Sequence, residues 1–175
     1  EGILIKDAAT LEKLHKVNTV VVDKTGTITK GKPTLVDIQN LSSLKDDELV
    51  SILASLEKKS EHPIAHAIVN YAQEKNISIS DVFNFEGIQG KGLKGEIGDT
   101  EYFAGNAKLV SDLKISFDAG KLDKFTLQGK TPVILATKEK VLGFVMVADE
   151  IKEESVDAIK NLHALGIKVV MLTGD

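Results

Sequence analysis

The chain has 175 residues, 42% of them hydrophobic and 5% aromatic, with a formal net charge of −4. That supports one medium domain or two small ones with an aliphatic core, so disorder is not the default. Lysines are spread rather than clustered, which argues against a nucleic-acid surface, and the lack of cysteine excludes disulfides and thiolate ligands. No apolar run reaches the roughly 18 residues that span a bilayer, and EGILIK lacks a signal-peptide pattern.

The pattern predicts a helix over residues 7–15, with Ala8, Leu11 and Leu14 at helical spacing. Thr19–Val22 is a β-branched run that suits a strand buried on both faces. It delivers Asp23 into a polar loop, Lys24–Thr27. Residues 35–41 read as an edge strand. A helix is expected over 46–57, with Leu49, Ile52, Leu53 and Leu56 on one face. Pro63 opens a second helix reaching Glu74, with His62 at its N-cap. A strand over 82–86 follows. The glycines 87, 90, 92, 95 and 98 then punctuate an antiparallel set reaching Ala104. Short helices are expected over 106–113 and 119–127, and strands over 131–138 and 141–148. The last helix, 152–165, is expected to turn Val156, Ile159, Leu162 and Leu165 inward and stop at Gly166. Residues 167–172 read as a buried strand ending in Thr173, Gly174 and Asp175.

The outer segments show βα alternation with all-apolar strands, the mark of a parallel sheet. The middle shows helix pairs and alternating strands. The expected fold class is therefore α/β with an inserted antiparallel α+β module: 1–32 and 141–175 form one domain and 33–140 the other. The chain begins without Met and stops directly after a strand, so it reads as a piece of a longer protein.

Reactive groups in open α/β sheets gather at the carboxyl ends of strands. Asp23 sits at such an end, and so does the Thr173-Gly174-Asp175 segment. An aspartate there can attack phosphorus and form an acyl phosphate, backbone N–H groups of the Lys24–Thr27 turn would cradle the phosphoryl oxygens, and Mg²⁺ would gather phosphate and carboxylate. A G-x-G such as Gly90-Lys91-Gly92 suits close backbone approach to a base or phosphate, and equally a plain hairpin turn. His62 and His66 are four apart, but Pro63 puts His62 at the cap and no third ligand is evident, which speaks against zinc.

The segment DKTGTIT (Asp23–Thr29) resembles the phosphorylation signature of P-type ATPases in full. SEHPIAHAI (Ser60–Ile68), GKG (Gly90–Gly92) and the pair Gly105-Asn106 resemble motifs of the nucleotide domain of the heavy-metal subgroup. GILIK, VADEIKEES and VVMLTGD resemble its phosphorylation domain, and the wording is most similar to copper(I)-exporting members. The resemblance implies a Rossmann-like phosphorylation domain of haloacid-dehalogenase type, and a nucleotide-binding domain inserted into it. It implies that Asp23 takes the γ-phosphoryl of ATP. The Thr25 carbonyl would help hold Mg²⁺, with Lys24 and Thr27 close by. Thr173 would hydrogen-bond the phosphoryl group, with Gly174 and Asp175 in the same loop. Asp149 and Lys152 would lie near the hinge and the phosphates. Glu57, His62, Gly90, Gly92, Gly105 and Asn106 would form the adenosine site.

Phosphatases of the same fold family keep a second aspartate two residues after the nucleophile. Here that position is Thr25, which cannot act as a general acid at neutral pH. A persistent acyl phosphate suits a pump, so the expected parent is a multi-pass membrane ATPase exporting Cu⁺, with this segment cytoplasmic. A Zn²⁺/Cd²⁺ pump or a phosphatase of this fold are the alternatives. Such pumps carry a further Gly-Asp-Gly-x-Asn-Asp segment and an intervening lysine. The resemblance therefore implies a catalytically incomplete piece, with ATP bound by residues 33–140 and weak or no phosphorylation of Asp23.

Overall fold

The computed structural model describes residues 4, 5 and 7–172. Thr173, Gly174 and Asp175 lie outside the described residues, as do Gly2, Ile3 and Lys6 of the GILIK segment. The chain divides into two units, residues 1–31 with 150–175, and residues 32–149.

In the first unit, helix α1 (Ala8–His15) starts at Asp7, whose carboxylate accepts the N–H of Thr10 at 2.8 Å. Strand β1 (Thr19–Asp23) pairs in parallel with β8 (Lys168–Leu172), aligning Val20 with Val169 and Asp23 with Leu172. Helix α6 (Glu153–Ala164) precedes β8. The expectations that β1 is buried on both faces and that β8 is a buried strand are corrected. Exposure alternates along β1, and Val21 is 57% exposed. Among the described residues this unit sets helices α1 and α6 beside its two-stranded sheet, and they leave a face of β1 open. Helix α6 is corrected likewise: Ile159 and Leu162 are half-buried, whereas Val156 and Leu165 are exposed.

The second unit is built on a sheet of β2 (Thr29–Asn40), β7 (Val141–Ile151), β6 (Thr131–Ala136), β5 (Thr100–Gly105), β4 (Gly92–Ile97) and β3 (Phe83–Ile88), in that spatial order. The pairs from β3 through β7 are antiparallel. The chain passes between the units within β2 and again within β7.

One face carries α2 (Asp46–Glu57) and α3 (Pro63–Glu74). Leu49, Leu53, Leu56 and Ile68 pack there with Val133, Leu135, Val145 and Val147. The other face carries α4 (Ala107–Asp112) and α5 (Gly120–Thr126), where Val110, Leu122 and Phe125 meet Ile134, Phe144 and Met146. Alternate residues of β6 and β7 thus enter different cores, which explains why Val141–Val147 is apolar throughout. Residues 141–149 belong to this unit because β7 pairs with β6 across the sheet centre. The sequence boundary, drawn at 140/141, falls nine residues before the observed division at 149/150.

Local signals place the helices that border the site. Glu48 accepts the N–H of Lys45 at 2.7 Å at the start of α2. The Ser55 hydroxyl, buried in α2, accepts the N–H of Ser80 at 2.9 Å and ties the loop before β3 to that helix.

Candidate functional site

Strand β1 ends on Asp23, which is exposed. The next five residues, Lys24–Ile28, form a single π-type turn. Thr25 (φ −77°, ψ 121°) and Gly26 (φ 77°, ψ −14°) have the angles of a type II turn, whose second central residue needs positive φ and hence glycine. Gly31 also has positive φ, and a Cβ on it would lie 3.2 Å from the Gly26 Cα. Thr29 is 2% exposed. Its hydroxyl donates to the Lys24 carbonyl at 3.1 Å and accepts the Gly26 N–H at 3.2 Å. The Lys152 ammonium donates to the Gly26 carbonyl at 2.8 Å, and its N–H to the Ile28 carbonyl at 3.0 Å. Both polar groups of Gly26 are therefore engaged inside the protein.

Of the N–H groups expected to cradle a phosphoryl group, that of Gly26 is committed to Thr29. Thr25 and Thr27 are exposed, and Lys24 and Lys152 are half-buried. Thr29 carried no role in the sequence reading beyond membership of DKTGTIT, yet it closes the turn. Thr29→Val would leave the Gly26 N–H unpaired, at a cost of about 2 kcal/mol. The expected readout is roughly thirty-fold faster amide exchange at Gly26, with Thr29→Ser restoring most of the protection. Equal exchange in wild type and Thr29→Val would show that the hydroxyl does not hold the turn.

In the other unit, a cavity of about 420 Å³ is lined by Glu57 and Ser60, by His62, Ile64 and Ala65, by Ile88 and Gly90–Leu93, by Gly105 and Asn106, and by Thr131–Val133. All six residues expected at an adenosine site, Glu57, His62, Gly90, Gly92, Gly105 and Asn106, line this one cavity. Each is placed by an ordinary structural device. The His62 Nδ1 accepts the Ile64 N–H at 3.2 Å as the N-cap of α3, which leaves the proton of the neutral ring on Nε2. The Asn106 Oδ1 caps α4 by accepting from Lys108 and Leu109, while Nδ2 donates to the Gly90 carbonyl at 3.0 Å. The Asn106 N–H donates to the Lys91 carbonyl at 2.9 Å. Asn106 thereby fastens the β3–β4 turn to the end of β5.

Gly92 faces Gly105 across the β4–β5 ladder. A Cβ on Gly92 would meet the Ala104 carbonyl oxygen at 2.1 Å, and one on Gly105 would meet the Lys91 carbonyl oxygen at 2.2 Å. These two glycines let two backbones touch. Gly90 differs: its φ is +69°, but a Cβ there would meet nothing within 4 Å.

Glu57, at the end of α2, is 8% exposed. Burial pushes its carboxyl up from 4.5 to about 7, opposed by a hydrogen bond from Ser60. Of the lining residues absent from the sequence expectation, Ser60, Ile64 and Ala65 lie within SEHPIAHAI and were legible there. Thr131–Val133 carry no motif and join only through the sheet.

Asp149 accepts the Lys32 N–H at 3.1 Å where β2 and β7 pass between the units. Among the described residues no cluster of three or more His, Asp or Glu side chains is arranged to hold a metal. Asp23 and the Thr25 carbonyl are hard oxygen donors of the type Mg²⁺ takes, two residues apart on one turn, and fit part of such a site.

The chain is 44% identical to a copper-exporting P-type ATPase of Staphylococcus saprophyticus, over 99% of its own length and 22% of the relative. It thus spans about a fifth of that relative. A crystal structure of a zinc-transporting PIB-type ATPase in the E2.Pi state is 32% identical, with a TM-score of 0.76 over 98% of this chain and 28% of the other. The catalytic domain of the CPx-ATPase CopB-B is 27% identical, with a TM-score of 0.70 over 98% of this chain and 58% of that one. The family model described as haloacid dehalogenase-like hydrolase matches residues 17–175, and with the parallel β1–β8 pair delivering Asp23 into its turn, the chain belongs to that family.

Proposed function

We propose that this chain is the nucleotide-binding and phosphorylation region of a heavy-metal P-type ATPase that exports Cu⁺, with residues 33–140 carrying the nucleotide site. The observation that carries this reading is the single cavity that gathers residues from SEHPIAHAI, GKG and Gly105-Asn106 in a chain that also contains DKTGTIT. The copper-exporting relative supports the choice of metal, and the zinc-transporting structure keeps Zn²⁺ as the second reading. No helix among the described residues is long and apolar enough to cross a membrane. In this reading, which the membrane-pump relatives support, the ion path belongs to membrane helices of the parent protein and this segment lies on its cytoplasmic side.

The chemistry follows from the turn. A carboxylate oxygen of Asp23 attacks the γ-phosphorus of ATP, the bond to the β,γ-bridging oxygen breaks, and ADP leaves. Mg²⁺, held in part by Asp23 and the Thr25 carbonyl, would offset the charge of the phosphates when bound. The ammonium of Lys152, fixed on Gly26, adds positive charge beside the turn. Thr25 offers no acid or base, so the acyl phosphate outlasts a conformational change before water attacks phosphorus and frees the Asp23 carboxylate. Thr173, Gly174 and Asp175 complete the phosphoryl side of this reading, and Asp149 its hinge.

The test uses the parent pump in membrane vesicles with γ-labelled ATP. The expected result is a hydroxylamine-sensitive label that Cu⁺ increases, Zn²⁺ does not, and Asp23→Asn abolishes. Stimulation by Zn²⁺ instead selects the second reading. A label surviving in Asp23→Asn defeats the assignment of the nucleophile.

A further inference from the structure

The cavity has a closed end and an open rim. Glu57, Ala65 and Leu93 line it as buried residues, whereas the Lys91 side chain is 40% exposed. Among the described residues that line it, Lys91 alone carries an ammonium. The other ionisable side chains there are Glu57 and His62, and the His62 Nδ1 is spent accepting from Ile64. The Lys91 ammonium pairs with Asp112, the last residue of α4, at 2.5 Å. Resting on the nucleotide reading above, we infer that Lys91 is the phosphate-binding cation of this cavity, and that Asp112 occupies it until a nucleotide binds. The base takes the closed end, and the ammonium leaves Asp112 for a phosphate oxygen at the rim.

An exposed ion pair contributes little to a fold, and this one is not needed to hold its turn. The Lys91 N–H donates to the Ile88 carbonyl at 3.0 Å, and the Lys91 carbonyl accepts the Asn106 N–H at 2.9 Å. Asn106 also donates Nδ2 to the Gly90 carbonyl, and Gly92 is pressed against Gly105. The backbone at position 91 is thus fixed from both sides, and its long side chain remains exposed at the rim. Phosphates present several charged oxygens, and an ammonium bonds to them more strongly than to a neutral acceptor. A nucleoside without phosphates offers that ammonium nothing. Lys91 therefore separates ligands of this cavity by their phosphate charge, independently of the base.

The neighbouring cations are committed elsewhere or stand off the cavity. The Lys59 ammonium donates to the Val82 carbonyl and stands over the Phe85 ring. Lys94 pairs with Glu86, and Lys138 with Glu101. Lys130, just ahead of β6, lies 5.6 Å from the centre of the Phe125 ring. Lys108 of α4 is exposed and does not line the cavity.

NMR titration of this chain with ATP and with adenosine, followed at the Gly92 and Asn106 amides, tests the inference. Lys91→Gln is expected to weaken ATP about fivefold and adenosine by less than about twofold. Lys91→Arg keeps the charge and is expected to retain most of the ATP affinity. Asp112→Asn removes the competing carboxylate and is expected to strengthen ATP about twofold, with adenosine unchanged. Raising the salt from about 0.05 M to about 0.5 M should close most of the gap between wild type and Lys91→Gln, because screening removes what the charge supplies. Equal losses of ATP and adenosine in Lys91→Gln overturn the inference, since they report a damaged turn. So does an unchanged ATP affinity in Lys91→Gln, or a weakened one in Asp112→Asn. Those outcomes leave the nucleotide reading standing. No binding of either ligand by the wild type defeats both.

Discussion

Gly92→Ala is expected to destabilise the 32–149 unit by about 4 kcal/mol, where Gly90→Ala costs about 1 kcal/mol. The two glycines belong to one G-x-G motif, yet different physics holds them. At Gly92, φ is +147°, and a methyl would sit 2.1 Å from the Ala104 carbonyl oxygen and 2.6 Å from the Gly105 Cα. Both obstacles are backbone within a central ladder, and no rotamer change relieves them. Strained φ and overpacking each cost about 1–3 kcal/mol, and here they combine. At Gly90 only the conformational term remains. Urea unfolding followed by tyrosine fluorescence reads this unit alone, because both tyrosines, Tyr71 and Tyr102, lie in it. Similar losses at the two positions would show that backbone contact does not select glycine at position 92. Impaired nucleotide binding by Gly92→Ala would therefore report a damaged ladder as much as a lost ligand contact.

Local signals carried well from sequence to structure. Pro63 at the first position of α3 and His62 at its cap fixed that helix start, and the spacing of Leu49, Leu53 and Leu56 fixed the buried face of α2. The cavity was legible because its polar residues cluster in three short motifs. What misled was the meaning of an all-apolar strand. The strand over 141–148 was assigned to the outer domain. It is an antiparallel central strand with a core on each face, and burial on both faces is all that such a run encodes. Thr19–Val22 carries the same signal, and its strand is half-exposed, because covering a face depends on how many elements pack there, which no local pattern states. Thr29 escaped notice for a related reason. Its importance lies in a hydroxyl facing back onto Lys24 and Gly26, and the sequence shows the threonine but not its burial.

Glu57→Gln is expected to stabilise the 32–149 unit by roughly 3 kcal/mol at about pH 8 and to match the wild type near pH ~4. The sign follows from proton binding. Burial raises the folded-state carboxyl from 4.5 to about 7, so the folded protein holds this proton more tightly than the unfolded chain. The favourable contribution is fully present below about 4.5, declines as pH rises towards about 7, and is absent above it. Glutamine keeps the shape and a hydrogen bond for Ser60 but cannot ionise, so it escapes the decline. The difference between the two stability curves should open between those two pH values and then stay constant. Parallel curves across the whole range would mean that water reaches Glu57 freely and that its carboxyl titrates as an ordinary one. The buried carboxyl thus couples the stability of this unit to one proton.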